Sequence, residues 1–203
     1  IGAIPSGYII GKMHGLDIRD HGSGNIGATN VTRVIGKSWG RICFGADFLK
    51  GLIPTLAASL LVRGGAFPDG LGIVPLLAAL GAVAGHIWTP FLGFKGGKGI
   101  STAAGVILAI NPPALVLAGI VWAAVFFSSR YVSAASVAAA LALPAAGFAF
   151  NFFKIWDASS AELALLVILA VVALIKHTAN IKRLLNGTEA GFAKKPEDGG
   201  NTK

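Results

Sequence analysis

Apolar runs of about 20 residues recur along this chain between short polar or Gly/Pro-rich breaks, and each is long enough to cross a hydrocarbon layer at about 1.5 Å of rise per residue. Residues 42–62 and 71–92 form two such runs, and 132–153 and 161–175 form two more. Between them, 100–128 is apolar except where Asn111-Pro112-Pro113 interrupts it. Paired prolines remove two backbone donors and disfavour helix just before them, so this stretch predicts a short helix of about ten residues, a turn and a longer helix. The opening IGAIPSGYIIG reads as the end of a further span whose start is absent, and it is too short for a cleavable signal sequence. The pattern predicts an all-α polytopic membrane bundle of seven spans, the first truncated and the fourth short. No internal repeat or soluble domain is visible. Residues 1–203 are therefore expected as one transmembrane domain, with 186–203 a polar, flexible tail.

Composition agrees with a membrane protein. Charged residues make up 13% of the chain and hydrophobic ones 54%, and the mean hydropathy is +0.72; ordinary soluble domains carry about 25% charged residues. Cys43 stands alone in an apolar run, which excludes a disulfide scaffold and reads as a small core residue. The net charge of +8 is read against the loops rather than as a nucleic-acid signal. Loops one, three and five and the tail hold Lys12, Arg19, Arg33, Lys37, Arg41, Lys95, Lys98, Arg130, Lys176, Lys182, Arg183, Lys194, Lys195 and Lys203. The opposite loops hold Arg63 and Lys154, and Lys50 lies inside a span. Fourteen cations against two place the tail and odd loops in the cytoplasm and the N-terminus outside. An unbroken helix over 100–128 would send the cationic tail outside, which supports the turn at Asn111. A partly re-entrant fourth span is compatible with backbone that lines a polar cavity.

The scarce polar residues cluster at that cytoplasmic end. The first loop runs from Asp20 to Arg33, and its residues 22–27 formally match G-x-G-x-x-G. A dinucleotide fold needs a hydrophobic strand before that pattern, whereas the lead-in here is the charged LDIRDHG, so a nicotinamide site is rejected. What remains is anion chemistry: Gly22 and Gly24 let backbone N–H groups approach, and Ser23, Asn25, Asn30 and Arg33 add donors. A merely capped, tight loop is the alternative. The third loop, Lys95-Gly96-Gly97-Lys98-Gly99, opens a short helix and lacks Walker spacing, yet it combines two cations, three glycines and a helix N-terminus. It reads as a phosphate cradle, the alternative being lysines that snorkel to the interface. In the fifth loop Arg130 reads as a positive-inside anchor and Tyr131 as an interfacial aromatic, with Ser136 one turn into the site.

Beyond the last span, His177 and Asn180 share a helix face, and Lys182 and Arg183 read as ligands for anionic headgroups. Asp47 and Lys50, three apart inside the second span, read as a structural ion pair that holds helices together, the alternative being that they line the site. His86 lacks a ligand or carboxylate nearby in sequence and reads as a core donor. There is no G-x-S-x-G, no H-E-x-x-H, no Cys/His metal spacing and no H-x-x-x-x-D of acyl-CoA-dependent glycerolipid acyltransferases, so neither a covalent nucleophile nor a metal or other cofactor is expected. Two anion cradles in a membrane suit a substrate with a phosphate and a lipid tail.

Taken in order and on one side, GSGNIGATNVTR, KGGKGIST and HTANIKRLLNGTE strongly resemble the three motifs of the bacterial acyl-phosphate:glycerol-3-phosphate acyltransferases, the PlsY family. GAIPSGY, DFLKG and RYVSAAS add to the likeness, which covers essentially the whole chain. The resemblance implies transfer of a fatty acyl group from acyl-phosphate to the sn-1 hydroxyl of glycerol 3-phosphate, giving lysophosphatidate and inorganic phosphate. It implies the first acylation of phospholipid synthesis, in the bacterial inner membrane, beside a soluble enzyme that makes acyl-phosphate. Ser23 and Arg33 then correspond to the essential pair of the first motif, and Gly96, Gly97, Lys98 and Gly99 to the glycerol-phosphate cradle. His177 and Asn180 correspond to the third-motif site, with Glu189 as the acid that supports its loop. The reading expects direct transfer, with the acceptor's own phosphate rather than His177 as base. The rival reading is a small anion transporter, against which stand the one-sided polar groups and the missing repeat.

Overall fold

Asn111 ends one helix and starts the next. Its side chain accepts a hydrogen bond from the Ala114 amide at 3.0 Å, capping a helix whose first two residues are Pro112 and Pro113. The same side chain donates to Glu162 Oε1 at 2.7 Å, and Trp156 Nε1 donates to that oxygen at 3.2 Å. The break expected from the sequence is thus a built turn, pinned to a neighbouring helix. Asn111→Ala removes a cap and strips a half-buried carboxylate of a partner, and is expected to lower stability by about 2–3 kcal/mol. Thermal unfolding in detergent measures this, and an unchanged midpoint would contradict the pinning.

The computed structural model describes residues 1–66 and 72–192. In these residues the chain forms α1 (Ser6–Met13), α2 (Ala28–Val34), α3 (Lys37–Arg63), α4 (Ile73–Ile87), α5 (Ile100–Ile110), α6 (Pro112–Ser129), α7 (Val132–Phe152), α8 (Ser160–Lys176) and α9 (Thr178–Leu185), with 3-10 turns at Ile18–Asp20 and Pro90–Leu92. No strand occurs among the described residues. Among the described residues, four helical segments are long and apolar enough to cross a membrane, and a fifth follows if α8 and α9, bent by 56°, are taken together. Against the seven crossings expected, the difference lies in α1 and α5, whose 8 and 11 residues fall short of a hydrocarbon core of about 30 Å. The run expected to begin at residue 71 begins outside the described residues, and its helix starts at Ile73.

Small residues bring the helices together. A Cβ added to Gly51 of α3 would collide with the Thr102 carbonyl of α5, and one added to Gly105 of α5 would collide with the Phe48 carbonyl of α3. Two reciprocal glycines therefore let the backbones of α3 and α5 touch, as membrane helices do where apolar burial does not drive association. The main core joins Val83 and Ile87 of α4, Val106 of α5, Ala118 of α6, Leu143 of α7 and Leu166 of α8. Leu77, Val116, Ile120, Leu141 and Ile175 point outward, giving the bundle an apolar exterior. A second core of Ile10, Ile18, Ile26, Val31, Cys43 and Leu92 sits under the first polar loop and fixes it to α3. Cys43 is fully buried there, the core position its sequence context indicated.

The intramembrane ion pair is observed. Lys50 Nζ lies 2.8 Å from Asp47 Oδ1, and it also donates to the Ile4 carbonyl at 2.8 Å, tying α3 to the chain ahead of α1.

Candidate active site

The first loop is shaped by Asn30, which is 1% exposed. Its Oδ1 accepts from the Ser23 amide at 2.8 Å, while Nδ2 donates to the carbonyls of Ile18 at 3.1 Å and His21 at 3.0 Å. Expected as an anion donor, Asn30 instead has its amide engaged by the loop itself, so it acts on the site by fixing Ser23. Gly22 packs so closely on Asn30 Oδ1 that a Cβ would overlap it, and its φ of +61° requires glycine in any case. Asn25 Oδ1 accepts from the Gly27 amide at 2.9 Å, which squares the chain into α2. Within the site, α2 is an element that the sequence pattern presented as loop. It carries Arg33, whose Nη2 donates to the Ala190 carbonyl at 2.6 Å and whose guanidinium lies 5.2 Å from the centre of the Phe192 ring.

The second glycine-rich loop differs from its expected role. The Gly96 and Gly97 amides donate to the Ile87 carbonyl at 3.0 Å and the His86 carbonyl at 3.1 Å. They close onto α4 and are not available as a phosphate cradle. Lys95 is exposed and does not line the cleft. Lys98, Gly99, Ile100 and Ser101 do, so the cleft meets one cation and the N-terminus of α5. Lys98 Nζ donates to Asn180 Oδ1 at 2.5 Å. Burial pushes the Lys98 ammonium down to about 8, the Glu189 charge opposing this and the Arg183 and Arg33 charges adding to it.

At the bend between α8 and α9, His177 Nδ1 lies 2.7 Å from the Ala173 carbonyl. A carbonyl only accepts, so Nδ1 carries the proton and Nε2 is the ring nitrogen left for a ligand. Asn180 Nδ2 donates to Glu189 Oε1 at 2.7 Å, Ser133 Oγ to the same oxygen at 2.7 Å, and Arg183 Nε to Glu189 Oε2 at 2.7 Å. Burial raises the Glu189 carboxyl, but these three hydrogen bonds outweigh it and hold the group below its ordinary value. Arg183, read from sequence as a headgroup ligand, is thus the salt-bridge partner of Glu189. Residues 186–192 belong to the stretch expected as a flexible tail, yet they fold back over the site, where the Phe192 amide donates to the Arg130 carbonyl at 3.0 Å. Residues 193–203 lie outside the described residues.

These groups share one cleft of about 590 Å³, whose walls include Ser23, Asn25, Arg33, Lys98, Ser136, His177, Asn180 and Glu189. Asp47 and His86 form part of its floor, their nearest atoms, Oδ1 and Nδ1, 3.7 Å apart. The sequence showed no carboxylate near His86, because the packing of α3 on α4 is what supplies it. Sequence reasoning also missed Ser133 and Trp122. Ser133 precedes Ser136 by three residues on α7, so helical spacing from Ser136 was the available signal; Trp122 donates to Ser136 Oγ at 3.3 Å. The cleft therefore gathers loops one, three and five and the last helix exit at one end of an apolar bundle.

The family model described as Glycerol-3-phosphate acyltransferase matches residues 1–187. The chain belongs to that family. It is 39% identical over 195 residues to the glycerol-3-phosphate acyltransferase of Aquifex aeolicus, covering 95% of this chain and 94% of the relative. It is 42% identical over 194 residues to that of Desulforudis audaxviator, covering 95% and 91%. Among solved structures it is similar to PlsY, an integral membrane glycerol 3-phosphate acyltransferase, in its glycerol 3-phosphate form, with a TM-score of 0.81 and 39% identity over 95% of this chain and 90% of that one. The lysophosphatidic acid form gives a TM-score of 0.79 and 38% identity, with the same coverage. The acyltransferase is accordingly a multi-pass membrane protein.

Proposed function

We propose that this protein moves a fatty acyl group from acyl-phosphate to the sn-1 hydroxyl of glycerol 3-phosphate, releasing lysophosphatidate and inorganic phosphate. The carrying observation is the meeting of Arg33, Lys98, His177 and Asn180 in one cleft at the end of an apolar bundle. The related structures named for their glycerol 3-phosphate and lysophosphatidic acid forms support this substrate and product. The reaction is the first acylation of phospholipid synthesis, and the acyl-phosphate comes from a soluble enzyme acting beside the membrane. The distribution of Lys and Arg favours a cytoplasmic cleft in a bacterial inner membrane, with the N-terminus outside, and residues 1–203 act as one transmembrane domain.

Acyl-phosphate is an activated mixed anhydride, so positioning and charge stabilisation suffice. Arg33 and Lys98 hold the two phosphates, and the side chains of Ser23, Asn25 and Ser136 surround the reacting carbonyl. The acceptor oxygen attacks the carbonyl carbon, its proton passes to an oxygen of the acceptor's own phosphate, and the bond from acyl carbon to phosphate oxygen breaks to release phosphate. His177 orients the acceptor through Nε2. Among the described residues no carboxylate hydrogen-bonds to His177, whose Nδ1 is committed to Ala173. His177→Gln, monodisperse in detergent, is therefore expected to raise KM for glycerol 3-phosphate while kcat falls less than about tenfold. A fall in kcat of about 10⁴ with KM unchanged would instead make His177 the general base.

Purified protein offered glycerol 3-phosphate with either palmitoyl-phosphate or palmitoyl-CoA tests the reaction. Lysophosphatidate and phosphate form only with the former if the proposal holds. Turnover with palmitoyl-CoA, or with neither donor in folded protein, overturns it.

A further inference from the structure

The three glycines flanking Lys98 all pack on the end of α4. A Cβ on Gly96 would overlap the carbonyl oxygen of His86 and press on that of Ile87, one on Gly97 would fall on His86 Nε2, and one on Gly99 would stand 3.1 Å from Ile87 Cδ1. Each close approach is to the last two residues of α4, not to the open cleft. The Gly96 and Gly97 amides end on the same two residues. The loop lies on the end of α4, and Lys98, the residue after Gly97, leaves it toward Asn180.

His86 packs with a carboxylate behind it. It is 4% exposed, with Nδ1 3.7 Å from Asp47 Oδ1. Lys50 grips Asp47 at 2.8 Å and reaches the Ile4 carbonyl at 2.8 Å. Buried ion pairs add little net stability relative to apolar packing, so a charged brace under this loop is better explained by the position it enforces. We infer that His86, backed by Asp47 and Lys50, is a positioning residue that sets where the Lys98 ammonium stands in the cleft. The inference rests on the reaction proposed above for its kinetic consequence, and on packing alone for its effect on Lys98.

Wild type, His86→Ala, Gly97→Ala and the double variant are compared as purified proteins in detergent. With glycerol 3-phosphate and palmitoyl-phosphate, His86→Ala is expected to raise KM for glycerol 3-phosphate about tenfold with kcat changed less than about threefold. Gly97→Ala loses activity because its methyl meets the His86 ring, and removing that ring in the double variant restores at least about fivefold over Gly97→Ala. A second readout needs no turnover: the rate of Lys98 acetylation by acetic anhydride, followed by mass spectrometry, changes at least about threefold in His86→Ala. Inactive wild type with an altered labelling rate would refute the proposed reaction and leave this inference standing. A double variant no better than Gly97→Ala, or a labelling rate at Lys98 unchanged by His86→Ala, overturns it. His86→Asn, smaller and still polar, replaces His86→Ala where the latter aggregates.

Discussion

Lys98→Met lowers kcat/KM by about a thousandfold, the largest single loss the site predicts. Lys98 is the one cation that the second glycine-rich loop delivers to the cleft, and its removal takes away the charge-assisted donor proposed above to hold a substrate phosphate, a loss of about 10²–10³ by itself. It also leaves Asn180 Oδ1 without its partner, which adds a misplacement of the third-motif helix. The same residue sets a pH dependence. Lysine is charged below its pKa and neutral above it, and burial holds Lys98 at about 8. As pH rises through that value, kcat/KM falls by about tenfold per further unit, because this ratio reports groups of the free enzyme. Lys98→Arg, which keeps its charge throughout, moves the descending limb upward even where its absolute activity is lower. Rates measured from about pH 7 to about pH 9.5 decide the matter, and an unchanged alkaline limb in Lys98→Arg would contradict the assignment.

Glu189→Ala is expected to cost about a hundredfold in kcat/KM, although Glu189 is not placed against the substrate. One carboxylate receives Ser133 from α7, Asn180 from α9 and Arg183, so its loss releases three donors at once and frees the chain that meets Arg33 at Ala190. A misplacement near 1 Å of groups that hold reacting atoms is enough for a loss of about 10². Glu189→Gln keeps the shape but turns an amide donor toward other donors, and it recovers only a small part. The measurement is kcat and KM beside thermal unfolding: full activity in Glu189→Ala would remove the network from the account, whereas lost stability with wild-type kinetics would make it purely a fold element.

The contrast between Lys98 and its neighbours marks what the chain's pattern was able to tell. Long apolar runs and the Pro pair announced α3, α4, α6, α7 and the break at Asn111, because burial in lipid and the chemistry of proline act locally along the chain. Charge placement named the end of the bundle where the polar loops meet. Which polar group faces the cleft was less legible. Asn30, Gly96 and Gly97 look like anion ligands in sequence, yet their hydrogen bonds run to backbone groups distant in sequence, at Ile18, Ile87 and His86. Ser133 was within reach of helical spacing from Ser136, but Trp122 and the approach of Asp47 to His86 depend on how α3, α4, α6 and α7 pack, and no spacing within one segment encodes that. Arg183 was visible as a cation, but its partner Glu189 comes into reach only because the chain turns back after α9.

The proposed reaction is direct transfer between two phosphate-bearing substrates held in one cleft. Incubating the purified acyltransferase with palmitoyl-phosphate and radiolabelled inorganic phosphate, without and then with glycerol 3-phosphate, tests it most directly. The account predicts no label in palmitoyl-phosphate when the acceptor is absent, and lysophosphatidate formation once it is added. Acceptor-independent exchange of label into palmitoyl-phosphate would reveal a covalent acyl-enzyme and contradict the account.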